Sequence, residues 1–305
     1  MSPPYFRDDE DVNGLWGLPT SKMDFCEENY AVTYKIAEFW NTISNLIYIV
    51  PPILTIYRTH RMRSLEQRFV IVFLLLAFVG VGSIAFHSTL LYESQLLDEL
   101  PMVYGTCAMI YCIVEVKGGE NTLGVRTAVT LSVISAIVSL GYMILKTPVF
   151  FLWSYGLLVA ALFLLHLEGC LKYEGSKKLL IWSVASYMFG FLLWNIDNEM
   201  CYSIRETRAN TPILLKPMTQ LHAWWHFFTG VGTFLCIMFS VHLRLKALGY
   251  EPSLRVIYNC IPYYVKGARK RSKPDIFDYN SNHASVQGKR HGISNGADSR
   301  FSRLL

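Results

Sequence analysis

Charged residues are scarce in this sequence. Asp, Glu, Lys and Arg make up 17% of its 305 residues, whereas a soluble domain usually carries about 25%. Hydrophobic residues make up 52% and are gathered in long runs. A membrane-spanning helix needs about 20 mostly apolar residues, and several of the runs approach that length. The composition therefore argues against an ordinary soluble domain and predicts an integral membrane protein.

The N-terminal region lacks the apolar stretch of a secretory signal peptide. The first 30 residues are polar and acidic. We therefore expect membrane insertion to begin with the first span rather than with a cleaved leader.

Seven apolar segments are separated by charged or helix-breaking residues. They cover residues 36–57, 69–90, 98–116, 126–145, 149–167, 179–198 and 221–243. The pattern predicts an all-α integral membrane fold with seven transmembrane helices. The seven-helix domain would cover residues 36–245, between an N-terminal segment, 1–35, and a C-terminal segment, 246–305. The C-terminal segment is rich in Ser, Asn, Gly, Lys and Arg, which predicts a basic, largely disordered tail.

The distribution of Lys and Arg predicts the orientation. Most of the basic loop residues fall on one side of the predicted bundle, and the basic tail falls on the same side. The positive-inside rule then places the N-terminus in the lumen and the C-terminus in the cytosol. The tail contains a basic run: Lys266, Arg269, Lys270, Arg271 and Lys273. A solvated tail beside an anionic membrane face explains this run better than nucleic-acid binding does.

Three histidines fall at one predicted depth. His222 and His226 are four residues apart, which places both imidazoles on one face of a helix. This pair alone is weak evidence, because the Glu of a metalloprotease HExxH helix is missing and histidines beside two tryptophans also suit a membrane interface. His87 lies near the outer end of the second segment, level with the pair. Three imidazoles with an open fourth position are typical of a catalytic zinc site.

Further polar side chains lie at the same level. Asp98 and Glu99 open the third predicted segment, just before Pro101, where they could simply complement a helix N-terminus. Ser83 precedes His87 by one helical turn, where a small residue also serves helix packing. Taken with the histidines, a carboxylate to carry a proton and a hydroxyl to stabilise an oxyanion favour a hydrolase.

A second group of oxygen-bearing side chains precedes the first span. Asp24, Glu27, Glu28 and Asn29 lie close together, and Glu38 follows at the start of the span. Hard oxygen ligands suit calcium, although the spacing is not that of an EF-hand. A solvated acidic segment is the alternative, and the position of Glu38 slightly favours a bound cation.

Two of the seven cysteines, Cys26 and Cys201, are predicted to lie on the outer side. An oxidising lumen permits a disulfide between them. The sequence gives no distance between the two residues, so their pairing stays open at this point.

Several motifs resemble those of the alkaline ceramidases and occur in the same order. They are Asp24-Phe-Cys-Glu-Glu-Asn-Tyr, Ala37-Glu-Phe-Trp-Asn-Thr, Gln95-Leu-Leu-Asp-Glu-Leu-Pro-Met and His222-Ala-Trp-Trp-His-Phe-Phe-Thr-Gly. The resemblance covers about residues 14–245 and extends to a wider superfamily of seven-helix metal hydrolases. It implies hydrolysis of the amide bond of ceramides, including phytoceramide or dihydroceramide, to a sphingoid base and a fatty acid. It also implies an endoplasmic reticulum or Golgi membrane.

The resemblance implies a role for each matching residue. The implied zinc ligands are His87, His222 and His226. Asp98 matches the carboxylate that activates water, and Ser83 matches the serine that steadies the oxyanion. The implied calcium ligands are Asp24, the backbone carbonyl of Phe25, Glu27, Asn29 and Glu38. Cys26 and Cys201 match a disulfide pair. Zn²⁺ and Ca²⁺ are therefore the expected cofactors, and the expected partners are ceramide and the bilayer, without nucleic acid.

Three departures and two alternatives accompany this interpretation. Phe25 stands where family members usually have Trp, a change that a backbone carbonyl ligand tolerates. Ile84 and Ser88 stand where family members commonly have Trp and Met, which leaves the acyl-chain preference open. One alternative is a signalling receptor of the adiponectin-receptor type with a structural metal. The other is a transporter with a metal-stapled bundle. The combination of three histidines with Asp98 and Ser83 favours the hydrolase, because a structural zinc needs no open position. The sequence does not predict an oligomeric state.

Overall fold

The computed structural model describes residues 14–61, 65–120, 122–173, 175–258 and 260–269. The described residues up to Ala268 form one compact unit. The helices described are α1 Phe39–Ser44, α2 Leu46–Arg61, α3 Gln67–Thr89, α4 Tyr92–Val114, α5 Val125–Leu145, α6 Pro148–Lys172, α7 Lys177–Glu199, α8 Cys201–Ala209 and α9 Leu221–Ala247, with a 3₁₀ turn at Lys216–Thr219.

Seven of these helical segments are long and apolar enough to cross a membrane. They are Phe39–His60, which joins α1 and α2, and the whole of α3, α4, α5, α6, α7 and α9. The predicted seven transmembrane helices are thereby confirmed, and the fold is mainly helical rather than all-α, since it also contains a β-hairpin. α3 and α9 are the most enclosed of these spans. In an 18-residue stretch of each helix, 56% of α3 and 72% of α9 is buried, against 11% of α6. The two helices that carry the histidines thus lie inside the bundle.

The third span differs from its predicted bounds. α4 begins at Tyr92, so Asp98 and Glu99 lie almost two turns inside the helix rather than at its start, and Pro101 is also internal. The prediction was wrong because Pro101 was taken as the mark of a helix start. A proline inside a helix leaves the carbonyl four residues earlier, that of Leu97, without its usual N–H donor.

Part of the predicted tail is folded. An antiparallel hairpin pairs β1 (Ser253–Ile257) with β2 (Ile261–Val265). Tyr263 and Tyr264 of β2 are buried, and β2 packs against α2 and α9. The prediction of a basic, largely disordered segment over 246–305 did not include this hairpin, whose aromatic and branched residues extend the apolar core. Residues 270–305, with Lys270, Arg271 and Lys273, lie outside the described residues.

Arg244 closes the bundle at the end opposite the histidines. Its side chain is 1% exposed. Nε and one terminal nitrogen donate to the two carboxylate oxygens of Glu66 at 2.7 and 3.0 Å. The remaining donors reach the carbonyls of Val116, Gly118 and Gly119, just beyond the end of α4. A cation at a helix C-terminus also complements the helix dipole, so Arg244 fixes α9 to α4.

Candidate metal centre

The three predicted zinc ligands converge. His87 lies in the last turn of α3, and His222 and His226 lie in the first two turns of α9. All three are buried, and one ligand atom from each lies within 4.8 Å of the others. Among the described residues, this is the only group of three or more His, Cys, Asp or Glu side chains gathered so closely. Helical spacing explains the α9 pair, and the packing of α3 against α9 adds the third.

Hydrogen bonds leave one nitrogen of His87 available. Its Nδ1 lies 2.5 Å from Oε2 of Glu38, which is fully buried. Its Nε2 is buried and has no hydrogen-bond partner. A carboxylate that accepts from one imidazole nitrogen fixes the tautomer and makes the other nitrogen a better metal ligand.

His226 is oriented in a similar way. Its Nδ1 lies 2.8 Å from the hydroxyl oxygen of Ser44, and that hydroxyl donates to the carbonyl of Asn41 at 2.9 Å. The hydroxyl oxygen therefore accepts the Nδ1 proton, and the Nε2 lone pair is left for a ligand. The α1 helix, which contains Ser44, thus supports an imidazole of α9.

His222 completes the group. Its Nδ1 is buried without a hydrogen-bond partner, and its ring stacks on Phe25 with centroids 3.7 Å apart. Nε2 of His87 and Nδ1 of His222 are therefore buried without a partner, and the Ser44 contact leaves the Nε2 lone pair of His226 for a ligand. Buried polar atoms are rarely left in this state, and neutral imidazole lone pairs are the donors that zinc prefers. The residues fit a zinc ion.

Asp98 and Ser83 lie together on adjacent helices. Ser83, on α3, is buried, and its hydroxyl lies beside the carboxylate of Asp98 on α4. Because Ser83 is one turn before His87, this proximity places the Asp98 carboxylate at the level of the histidines. The arrangement combines an acid–base group and a hydroxyl donor beside a metal-type site.

The predicted calcium ligands are less completely gathered. Asp24, Glu27 and Glu38 do not form a close carboxylate group in the part of the chain that the structure describes. The Glu27 carboxylate instead accepts the backbone N–H groups of Trp40 and Asn41, at 2.7 and 2.8 Å. It therefore caps the first turn of α1, a role that the sequence pattern does not reveal.

Charge and burial nevertheless favour a cation near these acids. Burial raises the pKa of Glu27 to about 8, and the nearby charge of Glu38 adds to this. Burial also raises the pKa of Glu38 to about 8, and Oε1 of Glu38 has no hydrogen-bond partner. Two buried carboxylates that disfavour each other's ionised form are the chemistry that calcium relieves.

The N-terminal segment is tied to the bundle by the disulfide that the resemblance implied and by Asp197, to which the sequence analysis gave no role. The structure joins Cys26 and Cys201 in a disulfide. The backbone N–H of Cys26 also donates to Asp197 at 3.2 Å, and the backbone N–H of His222 lies on the Asp197 carboxylate as well. Asp197 therefore links the disulfide region to the metal-type site.

The sequence is similar to those of several known proteins. The sequence profile of the ceramidase family matches residues 17–265. Alkaline ceramidase 3 of Mus musculus is 43% identical over 253 residues, which cover 83% of this chain and 94% of that protein. Alkaline ceramidase YPC1 of Saccharomyces cerevisiae is 32% identical over 268 residues, 81% of this chain and 84% of that protein. An alkaline ceramidase of Arabidopsis thaliana is 27% identical over 258 residues, 83% of this chain and 95% of that protein.

Proposed function

Because the chain belongs to the ceramidase family, we propose that it hydrolyses the amide bond of ceramides, giving a sphingoid base and a free fatty acid. The observation that carries the proposal is the buried group of His87, His222 and His226 with the Ser83–Asp98 pair on the neighbouring helix. Phytoceramide and dihydroceramide are included in the substrate class. No described contact favours the receptor or transporter alternative.

The three histidines are proposed to hold a catalytic zinc ion. When bound, zinc would act as a Lewis acid and lower the pKa of a coordinated water to about 7. Glu38 and Ser44 orient two of the imidazoles through their Nδ1 atoms. The stacked ring of Phe25 restricts the third.

The chain's own groups account for proton transfer. The Asp98 carboxylate accepts a proton from the attacking water and returns it to the leaving amine nitrogen. The Ser83 hydroxyl donates a hydrogen bond to the oxygen that becomes negative when the carbonyl is attacked. The two groups lie side by side, so both are near the metal-type site before substrate binds.

The activity is tested by incubating purified protein with ceramide in detergent micelles and measuring released sphingoid base. Wild-type protein is expected to release it, a zinc chelator to stop the release, and added zinc to restore it. Asp98→Asn keeps the size of the side chain but cannot accept the proton, so it is expected to lower the rate about 1,000-fold, within the range for general acid–base groups. Asn195→Ala, which removes an exposed hydrogen bond to the Phe191 carbonyl within α7, is the control. Wild-type protein that releases no base would refute the proposed function.

A supporting calcium site is proposed at Asp24, the Phe25 carbonyl, Glu27, Asn29 and Glu38. Asp24→Asn tests it with the least disturbance, because Glu27 and Glu38 have further structural contacts. Calcium is expected to raise the thermal unfolding temperature of the wild type more than that of Asp24→Asn. Equal shifts in the two proteins, or none in the wild type, would remove this site.

The location and orientation are also part of the proposal. We place the protein in the endoplasmic reticulum or Golgi membrane, with its N-terminus and metal centre on the luminal side and its C-terminus in the cytosol. The Cys26–Cys201 disulfide supports the luminal side, because disulfides persist in oxidising compartments. A glycosylation acceptor inserted before residue 14 is expected to be modified, and one inserted after residue 269 is not. The reverse pattern would contradict the orientation.

A further inference from the structure

Gly82 of α3 lies directly against the backbone of α4. A Cβ atom added at Gly82 would be 1.9 Å from the carbonyl oxygen of Leu97, 2.5 Å from its carbonyl carbon and 3.0 Å from the backbone nitrogen of Asp98. All three are backbone atoms, so a side-chain rotation cannot relieve the overlap. The two helices therefore approach this closely only because residue 82 has no side chain.

The Leu97 carbonyl is not held by its own helix. In a regular α-helix it would accept the N–H of residue 101, and Pro101 has no N–H. The proline ring also presses on the carbonyl four residues before it and bends the helix. Contacts between a glycine Cα–H and a carbonyl oxygen are common at helix–helix interfaces. Gly82 and Pro101 therefore act on the same carbonyl. Pro101 leaves the Leu97 carbonyl without a donor in its own helix, and Gly82 leaves the space in which that carbonyl approaches α3.

This contact lies at the level of the proposed catalytic groups. Ser83 follows Gly82 along α3, and Asp98 follows Leu97 along α4. The Ser83 hydroxyl lies beside the Asp98 carboxylate, so the spacing of the two helices at Gly82 determines how close these two groups come. His87 stands on the same helix, one turn beyond Ser83.

We propose that Gly82, together with Pro101, is a positioning residue that sets the distance of Asp98 from Ser83 and from the metal-binding histidines. This inference rests on the proposed hydrolysis, in which Asp98 carries the proton. Neither residue touches the substrate's reacting atoms in this proposal. Both act through the backbone that carries Asp98.

Gly82→Ala is the direct test. Real Cβ atoms essentially never come within 3.0 Å of a backbone atom, so α4 has to move away at Asp98. A misplacement of about 1 Å can cost about 100-fold in rate. We therefore expect kcat for ceramide to fall about 100-fold while KM changes little. Bound zinc, measured by elemental analysis, is expected to stay at the wild-type level, because α3 and α9 carry all three histidines.

Gly105→Ala is the matched control. Gly105 is a glycine of α4 that also faces α3, and an added Cβ would meet only the Leu75 Cβ atom, at 3.9 Å. That distance is an ordinary van der Waals contact. We expect the kcat of Gly105→Ala to stay within about twofold of the wild type, since neither helix has to move.

Pro101→Ala tests the other half of the pair. Alanine restores the N–H, so the Leu97 carbonyl can return to its own helix. Alone, this change is expected to lower kcat about tenfold without lowering the thermal unfolding temperature, because it removes a helix-breaking residue. The double variant Gly82→Ala/Pro101→Ala is expected to have a kcat at least about fivefold higher than Gly82→Ala alone, because the effects of residues that share a partner are not additive.

The outcomes separate this inference from the proposed function. If wild-type protein releases no sphingoid base, the function fails first. If the wild type is active and Gly82→Ala resembles Gly105→Ala, the positioning role is wrong. If Gly82→Ala does not accumulate as folded protein, Pro101→Ala still decides, because an unchanged kcat there overturns the proposal. Losses that simply multiply in the double variant overturn it as well.

Discussion

The cluster around Arg244 and the cluster around the three histidines differ in how many of their buried polar atoms have hydrogen-bond partners. Arg244 uses each of its five N–H donors on Glu66 and on backbone carbonyls near the end of α4. In the other cluster, Oε1 of Glu38, Nε2 of His87 and Nδ1 of His222 are buried and have no partner. A complete network indicates a structural role, and an incomplete one marks the place where a ligand is expected.

One histidine shows the limit of this comparison. Both ring nitrogens of His242 are buried without a partner, and the ring lies against Tyr264. Within the described ranges, however, no close group of metal-ligand side chains includes His242. An unsatisfied atom therefore indicates a site only where several such atoms converge.

Removing a ligand from the incomplete cluster is expected to have the largest effect. His222→Ala leaves two imidazoles, too few for a protein zinc site of the usual kind. We expect bound zinc to fall from one per chain to background, and sphingoid-base release to fall below detection. The protein should still reach the membrane, because the α9 packing remains. Full activity in this variant would refute the zinc assignment.

Breaking the complete cluster is expected to reduce stability instead. Arg244→Leu removes a donor from five acceptors, two of them oxygens of the Glu66 carboxylate, and loss of one partner of a buried ion pair costs about 3–5 kcal/mol. Since Glu66 is partly exposed and also contacts Arg68 at 3.2 Å, we expect about 3 kcal/mol, read from unfolding in detergent. The folded fraction should keep its zinc. Loss of zinc with unchanged stability would contradict the structural role given to the Arg244 cluster.

Glu38 lies at the boundary of the incomplete cluster. Glu38→Gln keeps the shape of the side chain and removes the charge that faces Nδ1 of His87. Loss of such a supporting group typically lowers metal affinity about 10–100-fold. Competition with a chelator measures the zinc affinity and checks this expectation. Asn41→Asp adds a negative charge beside Glu38 and is expected to change the zinc affinity in the opposite direction. An unchanged affinity would mean that Glu38 acts only at the calcium site.

The smallest effect is expected at the exposed bond between the hairpin end and the loop after α4. A hydrogen bond from Lys266 is the main cause that holds the pKa of Glu120 below its ordinary value. A carboxylate with a lowered pKa stabilises the fold above its unfolded pKa and loses that contribution as the pH falls. We expect Glu120→Gln to cost at most about 0.5 kcal/mol at pH 7 and less near about pH 4. Unfolding measurements at both pH values check the sign.

The sequence predicted what depends on periodicity and composition. Long apolar runs indicated the seven spans, and the spacing of His222 and His226 indicated one helical face. The third ligand followed from the depth of His87. The family motifs, rather than spacing, supplied the roles of Asp98 and Ser83.

What the sequence could not predict depends on contacts between distant segments. The bond between Glu38 and His87 joins residues 49 positions apart, and that between Ser44 and His226 joins residues 182 apart. Neither pair has a periodic signal. The start of α4 was misplaced because a proline inside a helix resembles one at its beginning, and the hairpin was missed because strands this short give little pattern.

X-ray absorption at the zinc edge of the purified protein tests the central claim most directly. If His87, His222 and His226 hold the metal, the spectrum should show zinc with three imidazole nitrogens and one oxygen at about 2.0 Å, and no sulfur. The imidazole scattering should disappear in His222→Ala. Protein without zinc, or zinc bound through sulfur, would contradict the account.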